Sequence, residues 1–353
     1  MPPIWVLIVD DSVVVRRLLS EALASTPNIK VAGTASNGAI ALARIPQLNP
    51  DVITLDIEMP GLNGIQTLLE IRKLYPKLPV IMCSSLTERG AAATLEALAA
   101  GAYDYVTKPS NSSSLSNAMD QLRQELVTKI VCLAGRRYTI PAPVPAIYPF
   151  QSKAAADHDI DILAIGTSTG GPNALGEVIP HLPQNLPVPV VVVQHMPPLF
   201  TRMLADRLNS CSCLSVQEAA PGKLLEPGHV WIARGDYHMT VARKGTGVVL
   251  DLNQDPPQNF CRPAVDVLFR SVAQTYGPNV LAVVMTGMGS DGARGAAHIR
   301  EAGGEVLVQD EASSVVWGMP GAVVNSHCAN QICPLREIGQ EIVRRVLLGR
   351  TQT

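Results

Sequence analysis

Two sets of residues in this 353-residue chain have the types and positions of reacting groups. In the second half, Ser168 sits in Gly166-Thr167-Ser168-Thr169-Gly170-Gly171, after the apolar run Ile162 to Ile165 and before Pro172 and a segment of helical spacing (Leu175, Val178, Ile179). Strand, tight turn and helix form a geometry that lifts a hydroxyl out of a sheet. The glycines permit positive φ and close backbone approach, and the proline suits a first helical turn. His195 follows the run Val190 to Gln194, and Asp291 follows Leu281 to Met285 through Thr286-Gly287-Met288-Gly289-Ser290. A serine hydroxyl needs a base within hydrogen-bond reach, and the base needs an orienting acceptor. At the carboxyl ends of parallel strands, Ser168, His195 and Asp291 would supply all three without being close in sequence. Each also has a plainer role open to it: Ser168 and Asp291 as caps of the helices at Pro172 and Gly292, His195 as a histidine that happens to follow a strand.

The second set lies in the first half. One apolar run stops at Asp10-Asp11, another at Asp56, another at Ser84-Ser85, and a last one continues into Thr107-Lys108-Pro109. If these strands are parallel, three carboxylates, a hydroxyl and an ammonium converge on one edge. Three neighbouring anions need a cation, and an all-oxygen set with water available suits Mg²⁺. Lys108 could then neutralise an incoming phosphoryl group.

The elements that must place these groups follow from hydrophobic patterning. Runs of strand length at Ile4–Val9, Ile29–Ala32, Val52–Leu55, Val80–Cys83 and Tyr103–Val106 alternate with helical segments at Val13–Leu23, Ala39–Leu48, Ile65–Leu74 and Ala92–Ala99. Such alternation predicts a doubly wound parallel sheet, with functional groups at the carboxyl ends of its strands. A helix is expected over Leu115–Leu133, then a proline-rich stretch, Tyr138 to Asp157, that stiffens an extended linker. Beyond it, strands at Val188–Val193, Leu281–Met285 and Val306–Val308 alternate with helices at Leu199–Leu208, Ala264–Tyr276 and Gly292–Ala302, with a closing helix near Leu335–Leu347. Short strands at His229–Ile232, His238–Val241 and Val248–Leu252 read as an antiparallel addition at the sheet edge. The expected organisation is α/β throughout: a first domain over 1–132, a linker over 133–157 and a second domain over 158–353.

Composition agrees and narrows the function. Hydrophobic residues at 47% against 16% charged suit parallel sheets buried on both faces, and 4% aromatics leave the cores to Val, Leu, Ile and Ala. A net charge of −2 gives no general attraction to nucleic acid or to an anionic membrane, and no basic recognition helix follows the linker. The seven cysteines show no C-x-x-C pair, so they read as reduced, buried thiols. No basic lead precedes Ile4 and no apolar run reaches membrane-spanning length, which points to a cytoplasmic protein without membrane insertion. GTSTGG is not G-x-G-x-x-G, the strand after it ends in Gln194-His195 rather than an acidic residue, and no lysine follows glycine as a phosphate-cradling loop requires. Gly166-Thr167-Ser168-Thr169-Gly170 does match the nucleophile elbow G-x-S-x-G, although the order Ser, His, Asp differs from the Ser, Asp, His of that fold.

Around the acidic edge, Asp10-Asp11, the LDIEMPGLNG that contains Asp56, Ser84 and Lys108-Pro109 resemble a response-regulator receiver domain of flavodoxin-like fold, from about Ile4 to Val127. The resemblance implies Asp56 as phosphoacceptor, and Asp10, Asp11 and Asp56 as holders of Mg²⁺ with the backbone carbonyl of Glu58. It implies phosphoryl contacts from Ser84 and Lys108, and Tyr105 as an aromatic that changes rotamer. GTSTGG, VVQHMPPLFT and MTGMGSDGARG are similar to the catalytic domain of the chemotaxis protein-glutamate methylesterases, so the likeness covers nearly the whole chain. It implies Ser168 as nucleophile, His195 as general base and then acid, Asp291 as its orienter, with Thr169 and Met288 beside them and the Met288 N–H as oxyanion donor. The implied activity is phosphorylation-activated hydrolysis of glutamate methyl esters on chemoreceptors, with deamidation of receptor glutamines, a sensor histidine kinase as phosphodonor and no cofactor for the ester chemistry. A receiver covering the serine edge until phosphorylated would supply the control. The rival from another class is a phosphorylation-gated binding module without chemistry. One departure from the family pattern stands out: family members commonly read H-R-P-S-V-D, and this chain has Cys261-Arg262-Pro263-Ala264-Val265-Asp266.

Overall fold

The computed structural model describes residues 2–108, 115–135 and 159–348, except for the side chains of 115–119, 121 and 135. Residues 109–114 and 136–158, which include Pro109 and most of the expected linker, lie outside the described residues. The chain divides into two compact units, Met1–Val144 and Pro145–Thr353.

The first unit alternates β1 (Ile4–Val9), α1 (Val13–Ala24), β2 (Ile29–Ala35), α2 (Gly38–Leu48), β3 (Val52–Asp56), α3 (Gly64–Leu74), β4 (Val80–Ser84), α4 (Glu88–Ala99), β5 (Asp104–Thr107) and α5 (Leu115–Gly135). Its five strands are parallel in the order β2-β1-β3-β4-β5. Side-chain caps start the helices where the runs of apolar residues pause: Ser12 accepts from the Val15 N–H, Asn37 from Ile40 and Thr87 from Gly90. Asn63 and Gln66 form a full capping box at α3. Every residue of β3 and β4 is buried, as a sheet covered on both faces requires. The predicted strands and helices of this unit are all present, most of them extended by a residue or more at one or both ends.

The second unit runs β6 (Ile162–Thr167), α6 (Gly171–Val178), β7 (Val190–Gln194), α7 (Phe200–Cys211), β8 (Ser215–Glu218), β9 (His229–Ile232), β10 (His238–Lys244), β11 (Gly247–Asn253), α8 (Val265–Tyr276), β12 (Val280–Val284), α9 (Ala293–Glu301), β13 (Glu305–Gln309), α10 (Gly318–Asn325), β14 (Gln331–Cys333) and α11 (Leu335–Leu348). Seven of these strands form one parallel sheet in the order β14-β13-β12-β6-β7-β9-β8. One expectation is corrected here. β9, expected in an antiparallel addition, enters the main sheet parallel to β7, and among the described strands β10 and β11 alone pair antiparallel, as a separate ribbon. Three elements carried no pattern to read. β8 buries a single side chain, Val216, β14 is three residues long, and α10 contains both Gly and Pro in its first turns.

Chain order in both sheets reverses direction beside the first strand. In the second unit, β6 is followed by β7 on one side, whereas β12 is followed by β13 on the other. Adjacent strands whose connections leave in opposite directions open a crevice beyond their carboxyl ends. The register aligns those ends: Thr167 pairs with Gln194, and Val284 with Gly166. Helices α8 and α9 then pack closely because Gly295 has no side chain; a Cβ there would stand 2.6 Å from Phe269 Cβ and 3.1 Å from Asp266 Cα. Gly295→Ala is expected to push the two helices apart at a cost of about 1–3 kcal/mol, read as a lowered midpoint in urea unfolding of the full chain. An unchanged midpoint would show that this contact does not set the helix spacing.

Candidate active site

Ser168, His195 and Asp291 lie at the carboxyl ends of β6, β7 and β12, as predicted. Ser168 is held by its backbone. Its N–H donates to the Thr286 carbonyl (3.0 Å) and its carbonyl accepts from Gln194 Nε2 (2.9 Å). Gly287 stands so close that a Cβ would meet Ser168 Cβ at 2.9 Å, which excludes any larger residue at that point. The capping alternative for Ser168 fails, because the N-cap of α6 is Gly170, in the left-handed region at φ 78°, with no side-chain cap. Thr169 is buried, and its carbonyl accepts from Thr286 Oγ1 at 2.8 Å. The Met288 N–H donates to no group among the described residues.

His195 Nε2 and Asp291 Oδ2 are 2.8 Å apart. Asp291 is ionised and can only accept, so Nε2 carries a proton, and Nδ1 is the ring nitrogen that gains or loses one. Four further donors fill the Asp291 carboxylate: the N–H groups of Val265 (2.6 Å), Asp266 (3.0 Å) and Gly292 (3.1 Å), and Asn259 Nδ2 (2.8 Å). Burial alone would raise Asp291, but the bond from His195 and those from Val265 and Asp266 outweigh it and hold the carboxyl below its ordinary range. For His195 burial acts downward, yet the bonds with Asp291 and then Cys261 carry the imidazole above its ordinary value. No hydrogen bond joins Ser168 Oγ to His195 among the described residues. Instead, Cys261 Sγ lies 3.5 Å from His195 Nδ1.

Sequence reasoning passed over the residues that support this edge. Gln194 accepts from Thr167 Oγ1 (2.6 Å) and donates to the carbonyls of both Ser168 and His195, tying the two turns together. Asp266, on α8, accepts from the N–H groups of Gly292 (2.9 Å) and Gly295 (2.7 Å) at the start of α9, and Asp291, just before α9, accepts from the first N–H groups of α8. The capping read for Asp291 is therefore real but crossed, since it caps α8 rather than its own helix. Asn259 Nδ2 bridges Asp266 and Asp291, and Arg294 pairs with Asp266. The seven cysteines are all free, but Cys211 and Cys213 are exposed and Cys132 and Cys261 partly so, which corrects the expectation of buried thiols.

In the first unit the acidic edge is assembled. Carboxylate oxygens of Asp10, Asp11 and Asp56 lie within 4.8 Å of one another, and Lys108 Nζ is 2.8 Å from both Asp10 Oδ2 and Asp56 Oδ1. A cavity of ≈ 250 Å³ opens there, lined among others by Asp11, Asp56, Glu58, Ser84 and Lys108. Burial raises Asp56 to about 6 against the opposing pull of Lys108. Ser84 Oγ donates to the Gly90 carbonyl (3.0 Å) and accepts from Thr94 Oγ1 (2.7 Å), so its hydroxyl is engaged with α4. Tyr105 is buried with Lys129 Nζ 5.1 Å above its ring.

Two doubly wound parallel sheets, one with an acidic pocket at its switch point and the other with serine, histidine and a buried carboxylate, define a receiver unit joined to a serine-hydrolase type of α/β unit. The family description "Response regulator receiver domain" matches residues 6–120, and "CheB methylesterase" matches residues 163–342. The protein-glutamate methylesterase/protein-glutamine glutaminase of Trichodesmium erythraeum is 50% identical over 98% of this chain and all of that one. The protein of the same description from a Nocardioides species is 52% identical over 99% of this chain and 97% of its own. The crystal structure of the Thermotoga maritima CheB methylesterase catalytic domain, 42% identical, covers 53% of this chain and 98% of that domain with a TM-score of 0.52. The chain belongs to the CheB family of protein-glutamate methylesterases with a receiver domain. Among the described residues, no helix is long and apolar enough to cross a membrane.

The crossed caps give a stability test. Asp266→Asn removes a buried charge that receives two N–H groups, an amide and a guanidinium, and is expected to cost about 2–4 kcal/mol of unfolding free energy in a denaturant titration. A loss below about 0.5 kcal/mol, the size of an ordinary surface substitution, contradicts that role.

Proposed function

We propose that the chain is a phosphorylation-activated esterase that hydrolyses glutamate γ-methyl esters on chemoreceptors and deamidates receptor glutamines. The 2.8 Å bond between His195 Nε2 and Asp291 Oδ2, one strand from Ser168 in a member of this family, carries the reading. Ser168 Oγ attacks the ester carbonyl while its proton passes to His195 Nδ1. Asp291, saturated with donors, keeps the ring oriented and stabilises the imidazolium. The Met288 N–H, with no partner among the described residues, is left to hold the oxyanion, a contribution of about 10²–10³ in turnover for one such donor. Methanol departs with the proton from His195, or ammonia in the case of an amide, and water attacks the acyl-serine with His195 again as base. Thr169 borders the reacting group.

On the receiver unit, Asp56 accepts the phosphoryl group from a sensor histidine kinase. Three carboxylates against one lysine leave an excess of negative charge on an all-oxygen edge, which fits a hard divalent cation. Asp10, Asp11, Asp56 and the Glu58 carbonyl would hold Mg²⁺, which would neutralise charge on the phosphoryl oxygens. Lys108 gives an ammonium to the same oxygens, Ser84 rotates from Gly90 to meet them, and Tyr105 changes rotamer in response. The protein acts in the cytoplasm on the cytoplasmic parts of its receptors.

The test is methanol release from methyl-labelled receptor membranes, with and without a small phosphodonor and Mg²⁺. Release should rise with phosphodonor, fall at least about 10³-fold in Ser168→Ala, and lose its phosphodonor increment in Asp56→Asn. Release that survives Ser168→Ala would move the assignment to a binding module.

The pH profile offers a separate check. Neutral His195 is the reactive form, and its partners raise its proton affinity, so kcat/KM should climb with pH along a limb whose midpoint lies above the 6.5 of a free imidazole. Cys261→Ala removes one of the raising partners and should move that midpoint down. A wild-type midpoint at or below 6.5 contradicts the electrostatic reading of the pair.

A further inference from the structure

The nitrogen of His195 that must take the serine proton already has a thiol against it. Nε2 is committed to Asp291, and Nδ1 faces Cys261 Sγ at 3.5 Å, within range of a sulfur hydrogen bond. In the neutral ring Nδ1 accepts from the thiol; once it has taken the thiol proton it donates to sulfur instead, and that second arrangement is the one in which Cys261 raises the imidazole. Cysteine, histidine and aspartate thus make in the structure the chain of contacts that the proposed mechanism asks of serine, histidine and aspartate. The thiol is well anchored. Backbone bonds close the Gln258–Cys261 turn (3.1 and 2.9 Å), and Asn259 inside that turn holds Asp266 and Asp291. Cys261 is only partly buried, so a small reagent can reach it.

We propose that Cys261 is a second nucleophile activated by His195, and that its oxidation by a hydroperoxide is a reversible switch on the base that Ser168 needs. His195 Nδ1 takes the thiol proton, and the thiolate sulfur attacks one peroxide oxygen. An S–O bond forms and the O–O bond breaks; sulfur loses two electrons and the peroxide gains them. The departing hydroxide or alkoxide takes the proton back from His195 and leaves as water or alcohol. The product is a sulfenic acid, whose hydroxyl sits on Nδ1 as a stronger donor than a thiol and occupies the lone pair that ester hydrolysis requires. An external thiol reverses the change, first displacing water to form a mixed disulfide, after which a second thiol releases Cys261.

The effect on ester hydrolysis rests on the proposed function, whereas the reactivity of the thiol rests on geometry alone, and the experiment separates them. The full-length chain is treated with substoichiometric iodoacetamide at neutral pH and the alkylated cysteines are mapped by mass spectrometry. Exposure alone ranks Cys211 and Cys213 first, since both are exposed and Cys211 has the carbonyls of Arg207 and Leu208 as its sulfur partners among the described residues. Activation by His195 ranks Cys261 first, by at least about tenfold, and His195→Gln removes the advantage. In parallel, hydrogen peroxide should abolish methanol release by the wild type, dithiothreitol should restore it, and dimedone should label Cys261. Cys261→Ala and Cys261→Ser, each compared with its own untreated rate, should be insensitive to peroxide. Slower labelling of Cys261 than of the exposed cysteines overturns the proposal, as does equal peroxide inactivation of wild type and both variants. If the untreated wild type releases no methanol, the esterase reading fails and the labelling order still decides the thiol.

Discussion

The second unit depends on one exchange of carboxylates between two helices. Asp266 leaves α8 to receive the N–H groups at the start of α9, and Asp291, from the approach to α9, receives those at the start of α8. A buried carboxylate is costly unless its oxygens are filled, and Asp291 is filled by five donors, one of them His195. The same bonds that make its burial tolerable fix its direction, so the imidazole is aimed by the packing of α8 against α9. The absence of a side chain at Gly295 lets those helices approach, so the contact that packs them also sets the direction of the imidazole.

How much of this was readable in the sequence depended on the range of the interaction. The strands of the parallel sheets announced themselves because both faces are buried, and a run such as Val190–Val193 has no polar residue to break it. The ends of those runs located Asp10, Asp11, Asp56, Ser168, His195 and Asp291. Pairing partners were another matter. The His229–Ile232 segment lies between turns that suit a hairpin, but its neighbour β7 is some forty residues earlier, and nothing local records that choice. Asp266 and Asn259 were missed for the same reason. Asp266 is an acidic residue in the first turn of α8, an ordinary position for its charge, and only the tertiary fold shows that it serves the next helix in sequence, α9. Gln194 did leave a signal: it is a fully polar residue ending an all-valine strand directly before His195.

Both units place their polar groups by the same topological rule yet balance charge differently. At the switch point of the first, three carboxylates face one ammonium, and the remainder has to come from outside the chain. At the switch point of the second, Asp266 has Arg294 and Asp291 has five hydrogen-bond donors, so each carboxylate is satisfied within the protein. An edge left electrically incomplete can respond to a cation and a phosphoryl group; an edge already complete is pre-organised for chemistry and asks only for a neutral ester.

Pre-organisation here is a property of the backbone more than of the reacting side chains. Ser168 is bonded through its N–H to Thr286 and through its carbonyl to Gln194, and His195 through its N–H to Thr167 and its carbonyl to the same Gln194. Rotating the Ser168 hydroxyl toward Nδ1 therefore disturbs none of the bonds that hold either turn. What opposes it is the thiol already at that nitrogen. A thiol is a weak donor and its bond here is long, so a hydroxyl brought in with a bound ester can displace it at small cost. On the proposed mechanism the hydroxyl and the thiol need the same lone pair, so any modification that strengthens the sulfur's hold works against the ester.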